Sequence, residues 1–423
     1  MNKMIFYIGR FVHVLTVICL TQAVIFAQVE KTNTKLLPKL MKKEKIFDSI
    51  LKNPGVYDVQ IIYTRIDRKK DGITFVNHHY NVSKNKYFYP ANAVFLPVAA
   101  LTLEKISALA KEYDVDKDRF VKIDNALTQE IILYQDTSSA NHYATFADFI
   151  KQMFVAGDKN ACNYCYDFLN QRYLNERMHG MGYGDSWFLH KLDSNPPETS
   201  RRSNVVTFFR TNVMSYYIDI IYLKRHPTTI PFYSIYVKKG EYNPDDYYTD
   251  RPKISLGRGF VENGAVVDSA VDFTVRNKFT IEDMHGFLKA LMFPETYGNK
   301  LKLSDDDYAF LYRQMADNNG FNYILNNRLD DPSIKIFNNS GKDMGFMIDN
   351  AYVVDTKNGV DFLLTAVIKC NKTDIFGEEY YEYERTGLPF MKNLSNMILE
   401  YEIRTKQKNQ NFENLPNKIT DKK

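Results

Sequence analysis

The chain has 423 residues, enough for a large core in one domain or two closely joined ones. Its 55 basic and 51 acidic residues are interspersed and leave a formal charge of +4, which excludes the basic footprint of a nucleic-acid binder. Aromatic residues make up 14%, with 30 tyrosines, which points to many half-buried strands or to an exposed aromatic surface, the former being the plainer expectation.

Lys3 and Arg10 precede an apolar run from Phe11 to Ala27, which polar Gln28-Val29-Glu30-Lys31 follows. This is the pattern of an export signal over residues 1–27, with cleavage expected after Ala27. If kept, the run is long enough to act as an anchor. After cleavage no membrane span is expected. Beyond the leader lie Cys162, Cys165 and Cys370, an odd number, so no complete disulfide framework is implied. Cys162 and Cys165 fall in a helical pattern without a second ligand pair, and buried positions on a helix face are expected.

Residues 28–36 are a polar lead. Lys39–Lys52 has the periodicity of one amphipathic helix, with Leu40, Ile46, Phe47, Ile50 and Leu51 as its stripe and Pro54-Gly55 as its stop. Val56–Arg65 and Ile73–Val82 alternate as strands about a turn at Asp71-Gly72. A strongly apolar helix follows Tyr87-Phe-Tyr-Pro-Ala91. Helices are predicted over Tyr143–Val155, Asn160–Leu174, Phe279–Met292 and Ser304–Met315, the last capped by Ser304 with Asp305, Asp306 and Asp307 at its positive end. That acidic run is a helix start rather than a metal site. Gly180-Met-Gly-Tyr-Gly184 is a turn without the strand-before, helix-after setting of a phosphate loop. Residues 205–275 are the least legible. Tyr216–Tyr222 is predicted as helix, Ile230–Lys238 as strand, and Gly240–Arg258 as a surface excursion. Ile334–Asn338, Met344–Val354 and Asp361–Cys370 are strands, Pro389–Arg404 is a terminal helix, and residues 406–423 form a polar tail.

Strands at both ends around a helical middle predict an α/β (α+β) fold. One antiparallel sheet would be built from both termini, about residues 38–90 and 330–405, and residues 91–329 would form a helical lobe with insertions.

Three stretches carry a resemblance to class A β-lactamases and related penicillin-recognising serine hydrolases. Tyr87-Phe-Tyr-Pro-Ala-Asn-Ala-Val-Phe-Leu-Pro97 resembles that family's F-x-P-A-S-x-x-K-L-P, with Asn92 in the place of the serine nucleophile and Phe95 in that of the lysine. Gly157-Asp-Lys-Asn-Ala-Cys-Asn163 resembles its S-D-N-x-A-x-N. Gly157 holds the serine's place, Lys159 the asparagine's, and Asp158 is kept. Ile336-Phe-Asn-Asn-Ser-Gly341, ahead of Gly345-Phe-Met-Ile-Asp-Asn-Ala-Tyr352, resembles I-F-N-K-x-G and G-F-x-x-D-x-A-Y, with Asn339 for the lysine and Gly341 retained. Lys342 would face the other side of that strand. Glu198 lies where the family carries its deacylating glutamate, and a salt bridge to Arg201 or Arg202 is the plainer expectation. The resemblance implies a β-lactamase/transpeptidase-like fold over about residues 40–405.

Ser83-Lys-Asn-Lys86, Arg385-Thr-Gly387 and Ser139-Ala-Asn141 spell family motifs by letter, but in the wrong local structure. His78 and His79 face opposite sides of a strand and share no metal spacing. No cofactor or metal is expected. Two functions follow from the resemblance. In one, the chain is an exported pseudoenzyme that has lost acyl transfer and acts as a binding or structural protein of the envelope, with a peptidoglycan peptide or other envelope ligand as partner. In the other, it is an active serine hydrolase on β-lactams or peptidoglycan peptides with displaced catalytic residues.

Overall fold

The computed structural model describes residues 31–69, 72–133, 143–193, 200–209, 234–243, 251–317 and 322–405. The leader, the C-terminal tail, Glu198, the Ser139-Ala-Asn141 motif and the helix predicted at Tyr216–Tyr222 all lie outside the described residues.

In chain order, β1 (Lys31–Asn33) precedes short helices α1 (Leu36–Met41), α2 (Asp48–Lys52) and α3 (Pro54–Tyr57), then the hairpin β2 (Gln60–Lys69) and β3 (Gly72–Tyr80). A 3-10 turn at Ala91–Val94 leads into α4 (Phe95–Leu109). Next come β4 (Val121–Asp124), β5 (Ile131–Leu133), α5 (Phe146–Ala156), α6 (Lys159–Leu169), α7 (Gln171–Gly180), β6 (Val205–Phe209) and β7 (Ser234–Lys238). Short strands β8 (Ser255–Leu256), β9 (Gly259–Glu262), β10 (Ala265–Val267) and β11 (Val271–Asp272) precede α8 (Ile281–Met292) and α9 (Asp305–Ala316). The chain closes with β12 (Ile334–Asp343), β13 (Phe346–Asp355), β14 (Val360–Lys369), β15 (Ile375–Phe376) and α10 (Leu388–Thr405).

The six-stranded sheet has the order β1-β3-β2-β14-β13-β12, built from both ends of the chain as expected. Every pairing in it is antiparallel except β1 against β3, which is parallel. The strands alternate strictly. Ile62, Ile66, Ile348, Tyr352, Leu363 and Val367 face one core, which also holds α4 and α8. Ile61, Tyr63, Met347, Val353, Phe362 and Leu364 face a second core formed with α1, α2 and α10. The helical lobe contains, in addition, a four-stranded sheet of order β5-β4-β6-β7, of which only β7 falls in a predicted strand, Ile230–Lys238.

Two predicted helices divide. The Lys39–Lys52 run breaks where Glu44 is extended (φ −122°, ψ 116°), and its halves bury Leu37, Leu40 and Met41 or Phe47 and Ile50. Pro54, read as a stop, opens α3 at the first-turn position, where its missing N–H costs nothing. The Asn160–Leu174 run breaks at Asn170 (φ 64°, ψ 161°), whose side chain then caps α7 by accepting from Tyr173 N at 2.8 Å. Ser304 caps α9 as predicted, accepting from Asp307 N at 3.1 Å. One described helical stretch, Ala91–Leu109, is long and apolar enough to cross a membrane, and it is the buried core helix of the lobe.

Candidate functional site

The aromatic entry Tyr87-Phe-Tyr89 is buried, with Tyr87 Oη donating to Asn277 O at 2.8 Å. Ala91 is then held at φ 48°, an uncommon conformation for a residue with a Cβ, and sets the direction of the 3-10 turn. Asn92 is half-buried. Its Nδ2 lies 3.5 Å from Gly157 O, and its Oδ1 is buried without a hydrogen-bond partner among the described residues. Phe95 is 3% exposed and belongs to the main core.

The two residues between α5 and α6 are occupied by helix ends. Gly157 sits at φ 67° and closes α5, a left-handed position that any side chain would strain. Asp158 opens α6, accepting from Asn160 N at 2.8 Å and Ala161 N at 3.2 Å. Lys159 reaches across to Asp193 (2.8 Å) and to Asp343 at the end of β12 (3.2 Å). Burial disfavours its ammonium, but the hydrogen bonds and charges of these two carboxylates outweigh that and raise its pKa. Asn163 exchanges hydrogen bonds with Leu192 N and O (2.8 and 3.0 Å), fixing the segment that carries Asp193 against α6.

On β12, Asn339 and Gly341 point to the same face, two residues apart. Asn339 Nδ2 donates to Ala93 O at 2.6 Å. A Cβ on Gly341 would lie 2.7 Å from Pro90 O and 2.9 Å from Ala93 N, so strand and turn backbones meet directly and only glycine fits. Lys342 faces away, 3.6 Å from Glu384 and over the Tyr383 ring.

Asn92, Gly157, Asn339 and Gly341 are thus brought together around one turn, with Asp158 and Lys159 beside them, while Phe95 turns into the core. None of these side chains is a hydroxyl, a thiol or a proton-transferring amine beside one. Asn92 lacks a nucleophilic atom, and Lys159 is held charged by two carboxylates.

The letter matches elsewhere are accounted for locally. Ser83 and Lys86 share a turn, but Lys86 pairs with Asp58 at 2.8 Å. Gly387 packs on Cys370 and Met347, in the second core. Two pairs escaped the sequence reading. Cys162 and His190 line one cavity of about 10 Å³, room for about one water. His190 donates from Nδ1 to Lys191 O (2.7 Å), and burial lowers its pKa to about 4 and raises that of the Cys162 thiol. Ser203 and Lys238 meet at 2.5 Å, with burial lowering the lysine to about 8, but both are 3% exposed. Ser203 Oγ also accepts from Glu241 N at 3.1 Å. Only a fold places these residues together, since they are 28 and 35 positions apart in the chain.

No family model and no curated protein matches the chain. Solved structures do. PBP-A aligns with a TM-score of 0.51 at 13% identity, over 89% of this chain and 98% of that one. A single-residue mutant of PBP-A, an acyl-enzyme complex with penicillin G, aligns at 0.50 with 13% identity and the same coverage, 89% and 98%. A β-lactamase from Sphaerobacter thermophilus DSM 20745 aligns at 0.48 with 11% identity, over 86% of this chain and 96% of that one. The chain therefore has the β-lactamase/penicillin-recognising fold, whose neighbours are serine hydrolases. At this identity the likeness reaches the fold and no further.

Proposed function

We propose that the chain is an exported β-lactamase-fold protein that has lost acyl transfer and serves the cell envelope as a binding or structural component. One observation carries this reading. On the sequence resemblance, the places of nucleophile, second hydroxyl and carboxylate-binding lysine fall to Asn92, Gly157 and Asn339, which lie together around the Ala91–Val94 turn, and that of the proton carrier to Phe95, which turns into the core. None of these four side chains can perform the corresponding chemistry. Removing one member of such a catalytic unit costs several orders of magnitude in rate, and here all are replaced. Export rests on the charged and apolar pattern of residues 1–27.

Penicillin G, which acylates the PBP-A mutant in its solved complex, is the natural probe. Incubation followed by intact-mass measurement is expected to show no adduct, and stoichiometric acylation sinks the proposal. Among the described residues, the Ser203–Lys238 contact favours the second reading, a hydrolase with displaced residues. An adduct that disappears in Ser203→Ala would establish it.

A further inference from the structure

The segment Lys35–Lys52 holds six lysines, Lys35, Lys39, Lys42, Lys43, Lys45 and Lys52, against Glu44 and Asp48. Its net +4 equals the formal charge of the whole chain, so the remaining residues sum to zero. All six lysines are exposed. None of them forms an ion pair among the described residues.

The layer that carries them is fixed. Leu37, Leu40, Met41, Phe47 and Ile50 are buried against the sheet and α10, and Phe47 meets Phe390 edge to face at 6.1 Å. With its apolar side inward, the layer presents its lysines outward, together with Ile46 (47% exposed) and Val56 (42%). Charge alone does not name a partner, but the position of the layer in the chain does. β1 begins at Lys31, at the edge of the sheet, and α1 follows three residues after β1 ends. Between Ala27, the end of the apolar leader, and Lys31 there are three residues, which span at most about 14 Å from Ala27 to Lys31. That is little more than the Debye length of about 8–10 Å over which lysines feel a charged surface.

We propose that the Lys35–Lys52 layer is a docking face for an anionic phospholipid bilayer, orienting the domain on the membrane its leader addresses. This rests on residues 1–27 being kept as an anchor, since cleavage after Ala27 would remove the tether that holds the layer near the membrane, but vesicle binding can be measured whether or not catalysis has been lost. Polybasic segments beside a membrane span bind anionic headgroups by summed electrostatic attraction, about fivefold in partitioning for each lysine near the surface. Exposed Ile46 and Val56 would add shallow apolar contact.

The test uses the chain from Gln28 to Lys423, which keeps every described residue, and lipid vesicles of phosphatidylcholine with or without about one third phosphatidylglycerol. Cosedimentation is expected only with the anionic vesicles, and raising the salt to about 0.5 M should release the protein. The triple variant Lys39→Glu, Lys42→Glu, Lys43→Glu should lose at least about 100-fold in partitioning. A control triple of equal charge change at exposed sites elsewhere, Lys111→Glu, Lys239→Glu, Lys253→Glu, should retain most of it. Equal loss in both triples, equal binding to the neutral vesicles, or retention on double-stranded DNA without vesicle binding would each overturn the proposal.

Discussion

The two faces of the central sheet place their polar groups differently. The face toward the helical lobe carries a buried polar strip. His285 of α8 contacts Thr64 and Thr365 Oγ1 at 2.7 Å from its two ring nitrogens, Thr64 donates to Asn77, and Thr365 donates to Asn350. Beside it Arg68 and Asp361 pair at 2.6 Å, with Tyr352 donating to the same carboxylate. At the edge of that face Asn339 and Gly341 hold the turn before α4. The opposite face is largely apolar from Ile61 to Ile368, but it holds His78, the contact of Tyr63 with Glu402 of α10, and buried Asp349, whose carboxylate accepts from Asn338 Nδ2 at 3.1 Å and from Tyr323 N and Ile324 N at 2.8 and 2.9 Å. Polar groups on the lobe side are therefore joined to protein partners, at a net of about 1 kcal/mol each, and they fasten the lobe to the sheet.

Four perturbations test this contrast. The largest effect is expected from Phe95→Lys, which puts an ammonium where a ring is 3% exposed. Loss of the ring's packing alone costs about 3–5 kcal/mol, and the uncompensated charge adds to it. Urea unfolding should show a loss of at least about 4 kcal/mol or no folded protein, and a near-neutral result would remove Phe95 from the core of the lobe-side face.

On the opposite face, burial raises the Glu402 carboxyl from an ordinary value near 4.5 to about 8. The folded state then binds this proton more tightly than the unfolded state, so its contribution to stability is greatest below pH 4.5 and declines as pH rises to about 8. The decline is at most roughly 3–5 kcal/mol. Unfolding free energies from pH 5 to 9 should fall with this slope, and Glu402→Gln should flatten it. An unchanged slope in the variant would rule Glu402 out as its source.

Gly341→Ala should cost about 1–3 kcal/mol by forcing β12 away from Pro90 and Ala93. A melting temperature equal to the parent's would show that strand and turn are not locked. The smallest effect is expected from Lys159→Met. It breaks a partly exposed bridge to Asp193 and Asp343, for about 1 kcal/mol or less in denaturant unfolding. Hydrogen exchange in residues 190–193 should nevertheless quicken, because Lys159 ties that segment to β12.

The sheet was legible because Phe346–Asp355 and Val360–Lys369 are long, largely apolar strands, and because local signals such as the cap at Ser304 agree with the tertiary fold, whereas β12 was foreseen only as far as Asn338 because Asn339-Ser-Gly-Lys-Asp343 is polar. β1 was missed because Lys31-Thr-Asn33 is short and polar, and only its pairing with Val76, Asn77 and His78 makes it a strand. The broken helices were missed because periodicity does not register one extended residue at Glu44 or a positive φ at Asn170. At the candidate site, the family pattern located Asn92, Gly157, Asn339 and Gly341, and the structure draws these four to one turn. What each does there was not legible. That Gly157 terminates a helix and that Lys159 bridges two carboxylates depends on φ angles and on Asp193 and Asp343, which lie 34 and 184 residues further on.

The burial of Phe95 also constrains the order in which acyl-transfer chemistry could be introduced here. A serine at position 92 is sterically modest and would fold, yet it would lack a base. A lysine at position 95 would supply one, but in this core it meets Val94, Val98 and their neighbours before any partner for its charge. Introducing acyl-transfer chemistry one residue at a time therefore passes through a form that is inert or one that is unstable. Only a route that first opens polar space beneath α4 avoids both, and the turn behaves in sequence space as a ratchet.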